Sequence, residues 1–131
     1  MNILKFIREK IQTDPYLNKE IGNRIYFYET TENSDKSDSF IVLNEIDGIP
    51  SNYASDKYLA EDYLIQVDVE CYTEEKAINI TKKVRKLLWD LDMKNASSQM
   101  NNYFKATKRY VRSRRYEGIP KNEYYKGERV E

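Results

Sequence analysis

No histidine occurs in the 131 residues, and there are only one cysteine, three prolines and four glycines. Without histidine, most nucleophile–base pairs and most zinc-site designs are out of reach. Cys71, standing alone, leaves no intrachain disulfide and no site built from several thiolates. The scarcity of Gly and Pro, beside 40% hydrophobic and 34% charged residues, is not a disordered or low-complexity composition. The chain should fold, and its length suits one domain around one core. It also lacks any apolar run near the roughly 20 residues that a membrane helix needs. Its opening "MNILKFIREKIQ" carries charges through the apolar positions, unlike a signal peptide. The expected setting is a cytoplasm, with no membrane partner, no metal and no cofactor.

Net charge is zero, from 22 basic and 22 acidic residues, yet the two signs are sorted along the chain. Residues 1–28 hold five basic and three acidic side chains, 29–75 hold two and thirteen, and 76–131 hold fifteen and six. Nucleic-acid binders usually carry excess positive charge over the whole domain. A molecule with an acidic part and a basic part can instead bind copies of itself head to tail. The competing expectation is that folding mixes the two sets.

Hydrophobic periodicity gives the organisation. Ile3, Leu4, Ile7 and Ile11 recur at helical spacing until "TDP" at 13–15 ends the pattern. "RIYFYE" (24–29) and "SFIVLNEI" (39–46) are rich in strand formers, and "TTENSDKSDS" between them, with no apolar residue, reads as a mobile surface loop. A second polar segment at 47–57 includes Tyr53 as a possible anchor. In "EDYLIQVDVECY" (61–72), Tyr63, Ile65, Val67, Val69 and Cys71 alternate as a core face against Asp62, Gln66, Asp68 and Glu70. Thr73 then caps a helix whose stripe is Ala77, Ile80, Val84, Leu87, Leu88 and Leu91. "KNASSQMNN" reads as a loop and "YFKATKRYVRSRRYEG" as one more extended segment. The expectation is an α+β two-layer sandwich of order α-β-β-β-α-β. It has a mainly antiparallel sheet of about four strands, the first three a meander, and two helices. Residues 1–118 form the domain and 119–131 an irregular tail.

"KATKRYVRSRRY" (105–116) places six basic residues in twelve without one acid. Strand alternation sends Lys108, Tyr110, Arg112, Arg114 and Tyr116 to one face and Arg109, Val111, Ser113 and Arg115 to the other. Charge on both faces fits an edge or a subunit contact better than a monomer's core. Plain solvation ranks second. Phosphate contact by Lys105, Lys108, Arg109, Arg112, Arg114 and Arg115, with tyrosines stacking on bases, ranks third. Asp68 and Glu70, two apart on the polar face of one strand, form a weak candidate for Mg²⁺ or acid–base chemistry with no accompanying motif. Interface or lumen candidates are therefore Lys108, Arg109, Arg112, Arg114, Arg115, Asp68 and Glu70, and no residue is assigned a catalytic role. Cys71 lies in the apolar register and reads as core. Twelve tyrosines supply apolar area with a polar tip, as interfaces favour.

The layout resembles the tail-terminator, or tail-completion, proteins of long-tailed bacteriophages. The resembling features are the short first helix, "GNRIYFYE", the long polar loop, "SFIVLNEI", the strand-to-helix junction "YLIQVDVECYTEEKA" and "RYVRSRRYEG" after the second helix. The resemblance implies a minor tail protein that assembles into a ring, commonly a hexamer, on the head-proximal end of the tail tube. Such a ring stops tube polymerisation and docks the head connector. Implied partners are other copies of the chain, the major tail tube protein, the head connector or neck protein and, in passing, DNA in the lumen. The implied location is the virion tail, after assembly in the host cytoplasm. A head-completion or neck ring protein of similar size is the alternative, and a small nucleic-acid-binding module a more distant one.

Overall fold

A computed structural model describes residues 2–50 and 61–120. The chain is α+β: helices α1 (Ile3–Thr13), α2 (Pro15–Glu20) and α3 (Glu74–Asp90) pack on one face of five strands. The strands are β1 (Ile25–Phe27), β2 (Phe40–Pro50), β3 (Glu61–Cys71), β4 (Met93–Phe104) and β5 (Arg109–Gly118). They lie in the order β1-β2-β3-β5-β4.

The local chemistry explains each helix boundary. Asn2 Oδ1 accepts from the Lys5 amide at 3.1 Å to start α1. Asp14 closes α1 and caps α2 by accepting from the Leu17 amide, and Pro15 occupies the first helical turn, where its missing N–H costs nothing. The "TDP" break is therefore a junction between two helices rather than a stop. Thr73 Oγ1 accepts from the Lys76 amide at 3.2 Å, and Glu74 and Glu75 fill the first turn of α3 as the helix dipole favours.

All four expected residues of α1 are buried, and so are Tyr63, Ile65, Val67, Val69 and Cys71 along β3. They join Ile41, Leu43, Ala77, Ile80, Val84, Leu88, Met93 and Tyr116 in one core. Burial pushes the Cys71 thiol above its ordinary range, so it is packing rather than nucleophile. Leu87 and Leu91 lie only partly buried at the margin.

Three expectations need correction. Among the described residues the sheet has five strands, not about four, because "KNASSQMNN" is not a loop: it belongs to β4, paired antiparallel with β5 along its length through two register shifts. Its polar side chains carry no strand signal, and the pairing comes from β5. Second, "YFKATKRYVRSRRYEG" is not one strand; it contains the β4–β5 turn, closed by the Lys108 amide on the Phe104 carbonyl at 2.7 Å. Third, β1 pairs parallel with β2 (Ile25 opposite Ile41), so the first three strands are not a meander. The connection 28–39 is about the dozen residues that a parallel return requires.

That connection is also held down. The Tyr26 hydroxyl donates to the Asp35 carbonyl at 2.6 Å, and the Tyr72 hydroxyl donates to the Lys36 carbonyl at 3.2 Å. The residue Tyr53 and the tail residues 121–131 lie outside the described residues. No helix among the described residues is long and apolar enough to cross a membrane.

Candidate interaction surface

The register sorts the candidate residues by face. Tyr110, Arg112, Arg114 and Tyr116 stand opposite Cys71, Val69, Val67 and Ile65, hence on the helix side; Arg115, Ser113 and Val111 stand opposite Gln66, Asp68 and Glu70, on the far side. The alternation expected from sequence is present, but the faces differ in kind. On the far side Phe40, Val42, Val111 and Ser113 are buried, so it is not simply a wet face.

Arg109 begins β5 and is 5% exposed. Its guanidinium carbon sits 4.7 Å from the Phe40 ring centre and 4.2 Å from that of Tyr72. Nη2 donates to the Lys36 carbonyl and, at 2.8 Å, to the Tyr72 hydroxyl, while Nη1 is buried with no hydrogen-bond partner. A cation between two rings away from water gains about 2 kcal/mol or more. Arg109 thus clamps the acidic connection 28–39 onto the sheet and is withdrawn from the subunit surface. Nearby Glu70 is pushed up, mainly by burial, although Arg109 pulls the other way. Asp68 accepts from Gln66 Nε2 at 3.0 Å, and Gln66 Oε1 accepts from Arg115 Nε at 3.1 Å. Asp68 and Arg115 are therefore knitted into the far face through Gln66, and Glu70 is half-buried beside them. The described residues contain no group of three or more His, Cys, Asp or Glu placed to hold a metal.

Arg112 and Arg114 are different. Both are half-buried on the helix side of β5, and neither has a carboxylate partner among the described residues. Arg114 Nη1 finds only the carbonyls of Ser113 and Met100, at 3.0 and 3.3 Å. Burial lowers its pKa first, and the like charges of Arg112 and Arg85 lower it further. Arg85 was missed in the sequence reading. It lies three residues before buried Leu88 and four after buried Thr81, a spacing that sets it at the rim of the buried stripe of α3. The result is a shallow trough with three guanidiniums, none of them in a salt bridge among the described residues.

Beside the trough runs β4, at the edge of the sheet. Met93–Phe104 carries one charge, Lys94, and no proline. Met100, Tyr103 and Phe104 are each 42% exposed, and Tyr103 packs on Tyr110 with ring centres 4.7 Å apart. A cavity of about 250 Å³ opens there between Glu74, Asn101, Tyr103, Tyr110 and Arg112. Proteins usually blunt such edges with charges, bulges or short strands. This one has two register shifts but almost no charge along a dozen residues. Lys108 projects from the adjoining turn, exposed and at φ 58°.

Neither a protein-family model nor a curated protein matches this sequence. The functional reading therefore rests on this surface and on the layout of the chain.

The trough also has a titration signature. Tyr116, 1% exposed at its floor, is pushed up from 10.0 to about 12, chiefly by burial, although Arg114 and Arg85 favour its phenolate. A phenol raised in the folded state leaves stability intact below the unfolded value, and stability is lost as pH rises from about 10 to about 12. Over that interval the wild type should lose about 2 kcal/mol more than Tyr116→Phe. Denaturant melts of both proteins across the alkaline range check this; parallel curves would place Tyr116 outside the buried core.

Proposed function

We propose that the chain is a structural subunit of a bacteriophage tail, acting by association and docking rather than by chemistry. In this reading copies form a ring on the head-proximal end of the tail tube, stop its growth and present a surface to the head connector. The observation that carries the association half is the long, nearly uncharged β4 edge beside an arginine cluster that makes no salt bridge among the described residues. A monomer gains nothing from either feature, whereas a neighbouring subunit can pair with the edge and neutralise the arginines. The tail assignment draws on the layout of the chain: a short helical start, a long polar connection, the β3–α3 junction and the basic last strand.

The same trough, with Tyr103 and Tyr110 beside it, supports a second reading as a contact for a nucleic-acid strand. That reading has fewer phosphate-binding groups than the six basic residues of 105–116 promised. Arg109 is buried and Arg115 is on the far face, which leaves Arg112 and Arg114 with Arg85, and Lys105 and Lys108 exposed in the β4–β5 turn.

Native mass spectrometry of the purified subunit, with electron microscopy of a phage lacking the gene, tests the proposal. The expected results are a closed oligomer and tails of uncontrolled, excessive length. Normal tails that fail to join heads would move the protein to the neck, and a persistent monomer with normal virions would end the structural reading.

A further inference from the structure

Resting on that reading, we infer which surfaces of two copies meet: the β4 edge and the Arg85–Arg112–Arg114 trough of one subunit receive the acidic connection 28–39 of the next. The connection supplies Glu29, Glu32, Asp35 and Asp38 against Lys36 alone, and Glu29, Glu32 and Asp35 are exposed. It leaves β1 and enters β2 at the opposite side of the sheet from β4, and in between reaches across to Arg109 at the start of β5. Folding mixes part of the charge, since acidic β3 pairs with basic β5 and Glu74 shares a cavity with Arg112, but the acids of the connection keep no salt bridge to the basic last strand among the described residues. Residues 93–118 carry seven basic side chains and one acid, whereas 24–47 carry six acids and two basic residues.

Charge selects the mode of contact. Pairing two β4 edges about a twofold axis would bring the arginine troughs of both copies together, and like charges across an interface disfavour association. Acid against arginine is attractive and heterologous, and a heterologous contact generates a ring or filament rather than a closed dimer. The connection is also chemically suited to an edge, since "ETTEN" is polar and free of proline and presents Glu32 at an exposed turn closed by the Ser34 amide on the Thr31 carbonyl at 3.1 Å. It would neutralise the guanidiniums and let Tyr103, on the same side of the sheet, pack under it. Attraction between such partly exposed groups weakens with salt.

Two charge-reversed proteins test this. One carries Arg85→Glu and Arg112→Glu, the other Glu29→Lys and Glu32→Lys. In each alone every junction opposes like charges, so the concentration needed for assembly should rise about a hundredfold or more. Mixed in equal amounts they should co-assemble in alternation, because every junction is again complementary. Parent-like assembly of either variant alone would overturn the proposal while leaving the ring reading standing. Loss in the arginine variant only, with dimers as the product, would mean β4–β4 pairing. Loss of binding to a labelled single-stranded oligonucleotide with assembly unchanged would transfer the trough to nucleic acid. Failure of the unmodified chain to associate at all would overturn both readings. If the arginine variant does not fold, as judged by its melt, single-cysteine proteins replace it. Asn101→Cys and Thr31→Cys, both exposed, should form a mixed disulfide on oxidation, while Cys71 stays buried. Homodimers of Asn101→Cys without the mixed product would refute the head-to-tail contact.

Discussion

Gly118→Ala should destabilise the isolated subunit by about 3 kcal/mol, through overpacking and backbone strain at once. Gly118 pairs with both Tyr63 and Met93, at the place where α3 hands over to β4. A Cβ there would lie 2.1 Å from the Asp92 carbonyl oxygen and 3.0 Å from the Met93 Cα. Both are backbone atoms, so neither can rotate away, and the start of β4 must separate from β5. The backbone also stands at φ 157°, where side chains are rarely accommodated. Gly22→Ala is the internal comparison. It too has a positive φ, 57°, but its nearest neighbour would be the Asn18 carbonyl oxygen at 3.5 Å, an ordinary contact. Its cost should stay near 1 kcal/mol. Urea melts of the two variants measure the difference; equal midpoints would mean that the β4–β5 junction tolerates a side chain.

Leu88→Ala should cost about 2 to 5 kcal/mol, the range for emptying a fully enclosed leucine site. Leu88 has no exposed surface and packs with Ala77, Ile80 and Val84 against β3 and β5. Leu87, one position round the helix, is only partly buried at the edge of the core and lines an open groove with Lys83 and Leu91. Leu87→Ala should therefore cost clearly less, under about 2 kcal/mol, because a partly exposed site gives up less transfer energy and leaves no closed cavity. The order of the two losses, read from denaturant midpoints, is the check; a larger loss at Leu87 would rotate α3 relative to the sheet.

These two leucines mark how far the sequence could be read. The apolar stripe of α3 was legible as a stripe, but whether position 87 or 88 points at the sheet depends on how the helix sits on β3 and β5. The alternation of β3 and the spacing of α1 were legible because burial there follows strictly from period 2 and period 3.6. β4 was not, since its polar residues become a strand only through hydrogen bonds to β5. Arg109 was misplaced for a related reason. Nothing local distinguishes it from Arg112, and its burial depends on Phe40, Tyr72 and the Lys36 carbonyl, brought from three other parts of the chain. Of the candidate surface, the basic strand and its two faces were visible. Its third guanidinium, Arg85, lies on a helix and becomes part of the trough only when α3 crosses β5.

The central claim is that copies of this chain close a tail tube. Its most direct measurement is the length of tubes grown in vitro from a long-tailed phage's major tail protein, with and without the purified subunit, viewed by electron microscopy. The account predicts tubes whose growth stops on addition of the subunit and whose one end carries a ring of it. Tubes that lengthen at the same rate with bare ends, at subunit concentrations well above that of the tube ends, would contradict it.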